Sequence, residues 1–167
     1  MEKIINEIIN DPCFMEGAAW NRRNFYANAM IVKEGDVGKS LFFIESGQLR
    51  VSVDVELEER RSAKPGIGDL DKGDLFGDTC LHESGVRTAT VIAITEGCLL
   101  EINGERLGAY LDAHPLTGYV FYKRLFEILF NRLSSGNRRI QYLLAWGLKA
   151  RLSASKSSPS SSASRKS

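Results

Sequence analysis

The chain has 167 residues, of which 43% are hydrophobic and 26% are charged, a composition typical of a globular protein with one domain. The formal net charge of +1, from 22 Lys and Arg against 21 Asp and Glu, excludes a uniformly basic nucleic-acid-binding protein. The balance is uneven, because residues 149–167 contain five basic residues and no acidic one. The preceding 148 residues contain 17 basic and 21 acidic residues, so we expect an acidic body and a basic tail.

Cysteine and histidine are scarce and scattered. Cys13, Cys80 and Cys98 are odd in number and widely spaced, which argues against a disulfide framework and favours a cytoplasmic location. They form no C-x-x-C pair, and His82 and His114 form no closely spaced pair, so we expect no metal site. No run of 18 apolar residues is present, so we expect no membrane span and no membrane partner.

The N-terminal zone begins with an amphipathic helix. Isoleucines recur on one helical face at Ile4, Ile5, Ile8 and Ile9. Asp11 and Pro12 are expected to end this helix, and a weaker helical pattern resumes over 18–20.

The second zone, about 28–103, is predicted to be β. Short apolar runs are separated by Gly and Asp at 30–32, 41–44, 49–55, 88–94 and 99–102. The sequence Ser46-Gly47-Gln48 suits a tight hairpin, and the charged stretch 56–62 suits a hairpin tip. Many short strands with regular turn signals favour a sandwich or a jelly-roll barrel.

The third zone is helical. His114 and Pro115 mark a helix boundary, and apolar residues recur at helical spacing over 117–152, with a gap at 134–137. At about 1.5 Å per residue, one such helix is too long to bury its apolar stripe on a small barrel. It needs a partner, most simply a second copy of the chain; the alternative is two shorter helices that fold back. The Ser-rich segment 153–167 is predicted to be disordered.

The residue pattern that carries chemistry lies at 76–81 and 86–91. Gly77 permits a tight turn, and a short helix after it would present free N–H groups to an anion. Arg87 supplies a planar fork for phosphate oxygens, and Asp78 supplies an acceptor for a sugar hydroxyl. The hydroxyls of Thr88 and the threonine two residues later would share one strand face. The alternative is purely structural, since a Gly-Asp turn and an Arg at a strand start occur in many β proteins.

Three ordered motifs identify a family resemblance. Residues 33–38 (KEGDVG) and 41–47 (LFFIESG) are similar to the first glycine turn, strand and hairpin of the cyclic nucleotide-binding domain, as in catabolite activator proteins and protein kinase regulatory subunits. Residues 73–78 (GDLFGD) resemble the lead into its phosphate-binding segment, and 87–91 (RTATV) resemble the end of that segment. Asp78 and Arg87 are nine positions apart, which matches the common family spacing, and the likeness extends over about 1–152.

The resemblance implies an α+β fold that is mainly β, a double-stranded β-helix (jelly-roll) with flanking N-terminal helices and a long C-terminal helix for dimerisation. It implies that Arg87 grips a cyclic phosphate, that backbone amides after Gly77 join it, and that Asp78 stands where the family has a ribose-binding Glu. A Thr at position 88 leaves cGMP as open as cAMP. The implied nucleotide-binding residues are Phe76, Gly77, Asp78, Thr79, Cys80, Arg87, Thr88 and Ala89. A base cap from the C-terminal helix is implied at Arg132 or Asn137, with Ser135 nearby.

Several positions depart from the family pattern. Asp78 is one methylene shorter than Glu, which shortens its reach by about 1.3 Å. Val86 stands where Pro is common, Cys80 where Ala is common, and Asn28 where Gly is common, although Asn tolerates a positive φ. These departures allow weakened or altered ligand preference, or a degenerate pocket.

Three functions remain open at this point. The first is a cyclic nucleotide (cAMP or cGMP) sensor in which binding moves the C-terminal helix of a homodimer and signals to an unidentified effector protein. The second is a protein-interaction module with a degenerate pocket, and the third is a truncated transcription regulator of the catabolite activator family. We expect a stand-alone domain without a helix-turn-helix and without sequence-specific DNA binding, because few residues follow position 152. We expect no enzyme, since the chain lacks both clustered His and Glu and a G-x-S-x-G motif.

Overall fold

A computed structural model describes residues 1–53, 55–57, 61–63, 66–81 and 85–156. The chain divides into two compact units, Met1–Tyr122 and Lys123–Ser167. In the described residues, short strands follow one helix and precede two more. In chain order these elements are α1 (Glu2–Ile9), β1 (Trp20–Phe25), β2 (Met30–Val32), β3 (Ser40–Ser46), β4 (Leu49–Ser52), β5 (Val55–Leu57), β6 (Arg61–Ala63), β7 (Gly66–Leu70), β8 (Leu75–Phe76), a 3-10 helix (Asp78–Leu81), β9 (Thr90–Ala93), β10 (Gly97–Asn103), α2 (Gly104–Ala113) and α3 (Pro115–Lys156).

The strands of the first unit form two four-stranded antiparallel sheets. Their strand orders are β1-β10-β3-β8 and β2-β9-β4-β7, and β5 and β6 pair as a separate hairpin. Apolar side chains from both sheets meet in one core: Phe25, Ile31, Val32, Phe42, Ile44, Leu49, Leu70, Phe76, Val91, Ala93 and Leu99. The fold is therefore the predicted mainly β, jelly-roll-like sandwich flanked by helices, which confirms the fold class. Within the predicted hairpin tip, residues 58–60 lie outside the described part of the chain.

The N-terminal helix follows its isoleucine pattern. Ile4, Ile5 and Ile8 are buried, and α1 ends at Ile9, just before the Asp-Pro pair. Burying an aliphatic side chain of this size stabilises a fold by about 1.5–3 kcal/mol, so this one face fixes the helix on the first unit.

The helical spacing expected over 18–20 is wrong, because Trp20 opens strand β1. Only the end residues of this strand, Trp20 and Phe25, are buried, and the polar residues between them face outward or lie part-buried. The sequence therefore lacks the alternation that reveals a half-buried strand. As a result the sheets begin at Trp20 rather than near residue 28.

The C-terminal helices agree in part with the sequence pattern. The predicted boundary at His114 and Pro115 separates α2 from α3, and α3 runs without a break through the 134–137 gap, so the alternative of two shorter helices is wrong. Helix α2 lacks a sequence prediction because it is short and contains two glycines; the Asn103 side chain caps it by accepting from the Arg106 amide at 2.9 Å. Helix α3 continues to Lys156, four residues into the segment predicted to be disordered, and the rest of that segment lies outside the described residues.

None of the helices described combines the length and the apolarity that crossing a membrane requires.

Candidate functional site

A glycine turn and a 3-10 helix begin the candidate site. Strand β8 ends at Phe76, whose ring stacks on Phe42 of β3 with 4.9 Å between the ring centroids. Gly77 follows with φ of +78°, in the left-handed region that favours glycine, and the 3-10 helix starts at Asp78. A Cβ on Gly77 would also lie 2.9 Å from the carbonyl oxygen of Ser40, so both backbone angle and space require a glycine here.

Arg87 is the charged centre of the site. Its side chain is buried, with the residue only 6% exposed, and its guanidinium donates from Nη1 to the Gly77 carbonyl (3.0 Å) and from Nη2 to the Ser40 carbonyl (2.7 Å). Its backbone amide donates to Asp36 O at 2.8 Å, and its own carbonyl accepts from the Gly35 amide at 2.9 Å. Arg87 thus joins the two glycine turns that the sequence marks as separate motifs.

The three residues after Gly77 are half-buried. Asp78 and Thr79 start the 3-10 helix, and the hydroxyl oxygen of Thr79 is buried without a hydrogen-bond partner among the described residues. The amide of Cys80 donates to Gly77 O at 3.1 Å. Burial raises the pKa of the Cys80 thiol to about 11, against a smaller opposing effect of the Arg87 cation, which favours the neutral thiol at physiological pH.

The threonines after Arg87 do not share one environment. Thr88 is exposed and precedes β9, and Ala89 is half-buried. Thr90 is 3% exposed, and its hydroxyl accepts a hydrogen bond from the Glu34 amide at 3.1 Å. The Thr90 hydroxyl therefore holds the turn at 33–38, and only Thr88 presents an exposed side chain.

Two departures from the family pattern are accommodated in the backbone. Asn28 adopts φ of 66°, in the left-handed region that asparagine tolerates, and its amide donates to Ala93 O at 2.8 Å. Val86 is 41% exposed and pairs with Val37 through an isolated antiparallel bridge. Beside them, the Arg87 amide and carbonyl keep their hydrogen bonds to Asp36 and Gly35.

The predicted base-cap residues lie on α3 in the second unit. Arg132 is half-buried there, and Ser135 and Asn137 are exposed. Their role stays a prediction. His82 lies outside the described residues, and in the part that is described no group of three or more His, Cys, Asp or Glu side chains is arranged to hold a metal ion.

The residues around the Arg87 guanidinium include three that sequence reasoning missed. These are Gly38, the carbonyl group of Ser40 and the ring of Phe42. Main-chain acceptors have no sequence signature, and Phe42 lies in an apolar run that is typical of an ordinary core strand. Gly38 does carry a signal, because it is the second glycine of the 33–38 turn.

Comparison with known proteins gives a consistent result. The family model of the cyclic nucleotide-binding domain matches residues 22–114. A potassium/sodium hyperpolarization-activated cyclic nucleotide-gated channel of Homo sapiens is 30% identical over 113 residues, which are 66% of this chain and 13% of the channel. A cAMP-dependent protein kinase regulatory subunit of Mucor circinelloides f. lusitanicus is 36% identical over 63 residues, 38% of this chain and 14% of that protein. The chain thus spans about an eighth to a seventh of the length of these relatives.

A solved structure supports the fold. A cyclic nucleotide-binding domain from Methylobacillus flagellatus superposes with a TM-score of 0.67 at 19% sequence identity, covering 84% of this chain and 80% of that one. Domains of this family are regulatory rather than catalytic. The matched region contains both sheets except the first two residues of β1, together with the glycine turns and Arg87, and on this evidence the chain belongs to the cyclic nucleotide-binding domain family.

Proposed function

We propose that this chain is a regulatory domain that binds cAMP or cGMP and that Arg87 pairs with the cyclic phosphate. The observation that carries the proposal is a buried guanidinium beside the Gly77 turn, with two neutral main-chain carbonyls as hydrogen-bond partners. Removing a cation from water is costly, and an anion that hydrogen-bonds to it offsets that cost. A cyclic phosphate supplies that anion, and a guanidinium fork matches its oxygens.

The other ligand contacts follow from the same turn. The Asp78 carboxylate accepts a hydrogen bond from a ribose hydroxyl, and the exposed Thr88 faces a guanine when cGMP is bound. Main-chain amides of Thr79 and Cys80 join the phosphate; the Cys80 amide must exchange its present bond to Gly77 O to do so. This exchange would let the 3-10 helix respond to ligand. Phe76 in the 73–78 motif and Ala89 in the 87–91 motif line the nucleotide site.

The response is transmitted toward the C-terminus. The 3-10 helix contacts the start of α2, since a Cβ on Gly104 would lie 2.7 Å from the Cys80 sulfur, and α2 leads directly into α3. The nucleotide binds one position of α3 more tightly than the other, and its binding therefore shifts α3 toward that position. A second copy of the chain pairs along α3, and Arg132 or Asn137 caps the base. The effector is a protein that reads the position of α3.

Calorimetric titration with cAMP and cGMP, with 5′-AMP as the acyclic control, tests the proposal. We expect micromolar affinity for at least one cyclic nucleotide and a loss of about 30-fold or more in Arg87→Ala, since truncating one partner of a buried charge pair costs about 2–5 kcal/mol. Arg50→Ala is the matched control, because the Arg50 side chain is 55% exposed and its ion pair with Asp69, at 2.8 Å, shares no residue with the hydrogen bonds of the Arg87 guanidinium. No binding of either nucleotide at millimolar concentration would reject ligand sensing in favour of an interaction module with a degenerate pocket.

Asp78→Glu tests the ribose contact. The longer side chain restores the reach of the family's Glu and strengthens a hydrogen bond that Asp78 makes with a shorter reach; a fully formed bond to a charged group contributes about 1.5–3 kcal/mol. We expect the affinity for the preferred cyclic nucleotide to rise, by up to about tenfold. Asp78→Asn should lower it, and an unchanged affinity in both variants would show that the carboxylate does not contact the sugar.

A further inference from the structure

The Arg87 guanidinium lies in a pocket of its own, which we call the arginine slot. It is formed by Gly38, Phe42, Gly77 and the carbonyl of Ser40. We infer that Gly38 and Phe42 are positioning residues for Arg87, which fix its guanidinium for the phosphate without touching the nucleotide. The inference rests on the proposed function, in which Arg87 binds the cyclic phosphate.

Gly38 contributes to the arginine slot because it has no side chain. A Cβ at this position would collide with Nε, Cζ and Nη2 of Arg87, three atoms of one planar group, so the glycine lies against the face of the guanidinium. Its φ is outside the left-handed region that Gly35 and Gly77 occupy, so the backbone itself does not demand glycine. The reason for a glycine at position 38 is therefore the arginine side chain.

Phe42 contributes an aromatic surface. Its ring centroid is 5.4 Å from Arg87 Cζ, within the range of a cation–π contact. The ring is itself immobile, because Phe42 is 3% exposed and stacks on Phe76 with an interplanar angle of 18°. A desolvated ring held this firmly gives the cation a fixed surface to rest on.

The two carbonyls complete the orientation. Nη1 is bound by Gly77 O and Nη2 by Ser40 O, so the rotation of the guanidinium about its long axis is set by acceptors on two different segments. A flexible arginine would lose its rotamer freedom when the phosphate arrives. A slot that has already removed that freedom makes binding tighter by preorganisation.

A double-mutant cycle on nucleotide affinity tests the slot in the full chain. Gly38→Ala and Phe42→Leu are titrated with cAMP and cGMP, each alone and combined with Arg87→Lys, which keeps the charge but loses the planar fork. The controls are Gly68→Ala, where a Cβ meets nothing within 4 Å, and Phe43→Leu, which truncates a buried phenylalanine pointing to the other face of β3. Phe42→Leu adds no atom, so it keeps the test open if Gly38→Ala folds poorly.

We expect Gly38→Ala and Phe42→Leu each to weaken binding about tenfold when Arg87 is present and less than about twofold in the Arg87→Lys background. The two control variants should stay within about twofold of the parent. Equal losses in both backgrounds would show a merely structural role and overturn the slot, as would tighter binding in Gly38→Ala. If Arg87→Lys itself leaves the affinity unchanged, or the parent binds no cyclic nucleotide, the proposed function fails; if Arg87→Lys weakens binding and the slot variants do not, only the slot fails.

Discussion

The side chain of Thr79 places a polar atom in a buried position beside the candidate site. Its Oγ1 is buried in the 3-10 helix next to the glycine turn and has no hydrogen-bond partner among the described residues. A hydroxyl left in this state costs about 1–3 kcal/mol of stability. We expect this cost to be removed if nucleotide binding at the proposed site gives the hydroxyl a partner.

Thr79→Val is therefore expected to stabilise the ligand-free protein by about 1 kcal/mol, because valine has nearly the same shape and no polar atom to satisfy. Thermal unfolding without nucleotide measures this gain as a higher Tm. The same variant is then titrated with cyclic nucleotide, where weaker binding would show that the hydroxyl contacts the ligand or orders the bound turn. A lower Tm in the ligand-free variant would contradict the expectation, since it would mean that the hydroxyl already has a partner.

At the scale of elements, a hydrogen bond joins the N-terminal segment to α2. The Tyr110 hydroxyl donates to Asp11 Oδ2 at 2.7 Å, and the Asp11 Oδ1 accepts from the Cys13 amide at 2.8 Å. The His114 ring stacks on Tyr110 with 4.1 Å between centroids. Burial, and then the bond to Asp11, raises the pKa of Tyr110 to about 12, and the Cys13 amide is the main cause that lowers the pKa of Asp11.

These directions define the pH window of the contact. A tyrosine whose folded pKa is raised contributes stability in full below its unfolded pKa of about 10, and loses it as the pH rises toward about 12. We expect Tyr110→Phe to lower the Tm by a constant amount between about pH 5 and 9, and this difference to shrink above about pH 10. Tyr26→Phe, which alters a 77% exposed side chain, is the control. A difference that persists unchanged to pH 12 would contradict the raised pKa.

The elements also show which features a sequence can reveal. The turns at 33–38 and 73–78 are predictable because glycine and aspartate at fixed spacing encode a local backbone shape. Strand β1 is not, because only Trp20 and Phe25 of its six residues are buried. The acceptors that hold Arg87 are main-chain groups of Ser40 and Gly77, and any residue type supplies a carbonyl. The family resemblance implies Arg87 as a phosphate-binding residue, which stays a prediction, whereas the groups that hold its guanidinium required the three-dimensional arrangement.

At the scale of the whole molecule, the charge divides at the boundary between the two units. Residues 1–122 contain 12 basic and 20 acidic residues, and residues 123–167 contain 10 basic residues and one acidic residue. The split is sharper than the acidic body and basic tail expected from residue 149 onward. The part of helix α3 that lies in the second unit also exposes large apolar side chains, among them Phe126, Phe130, Leu133, Ile140 and Trp146. When such a helix meets a second copy, its exposed apolar residues favour association and its basic residues oppose it.

The proposed pairing of two copies along α3 would bury apolar surface and bring like charges together. Burial of a leucine-sized side chain contributes about 1.5–3 kcal/mol, while repulsion between two basic helices weakens as salt shortens the range of the field. We therefore expect a dimer that tightens as the salt concentration rises from about 0.05 to 0.5 M, where the Debye length falls severalfold. Sedimentation velocity over a concentration series measures this association directly.

A pair of charge substitutions tests which face of α3 is used. Leu133 is 64% exposed, so Leu133→Glu should produce a monomer without lowering the Tm. Asn131→Glu adds the same charge on the polar side of the helix and should leave the dimer intact. A monomer at every salt concentration, or a dimer that Leu133→Glu does not weaken, would contradict pairing of two copies along α3.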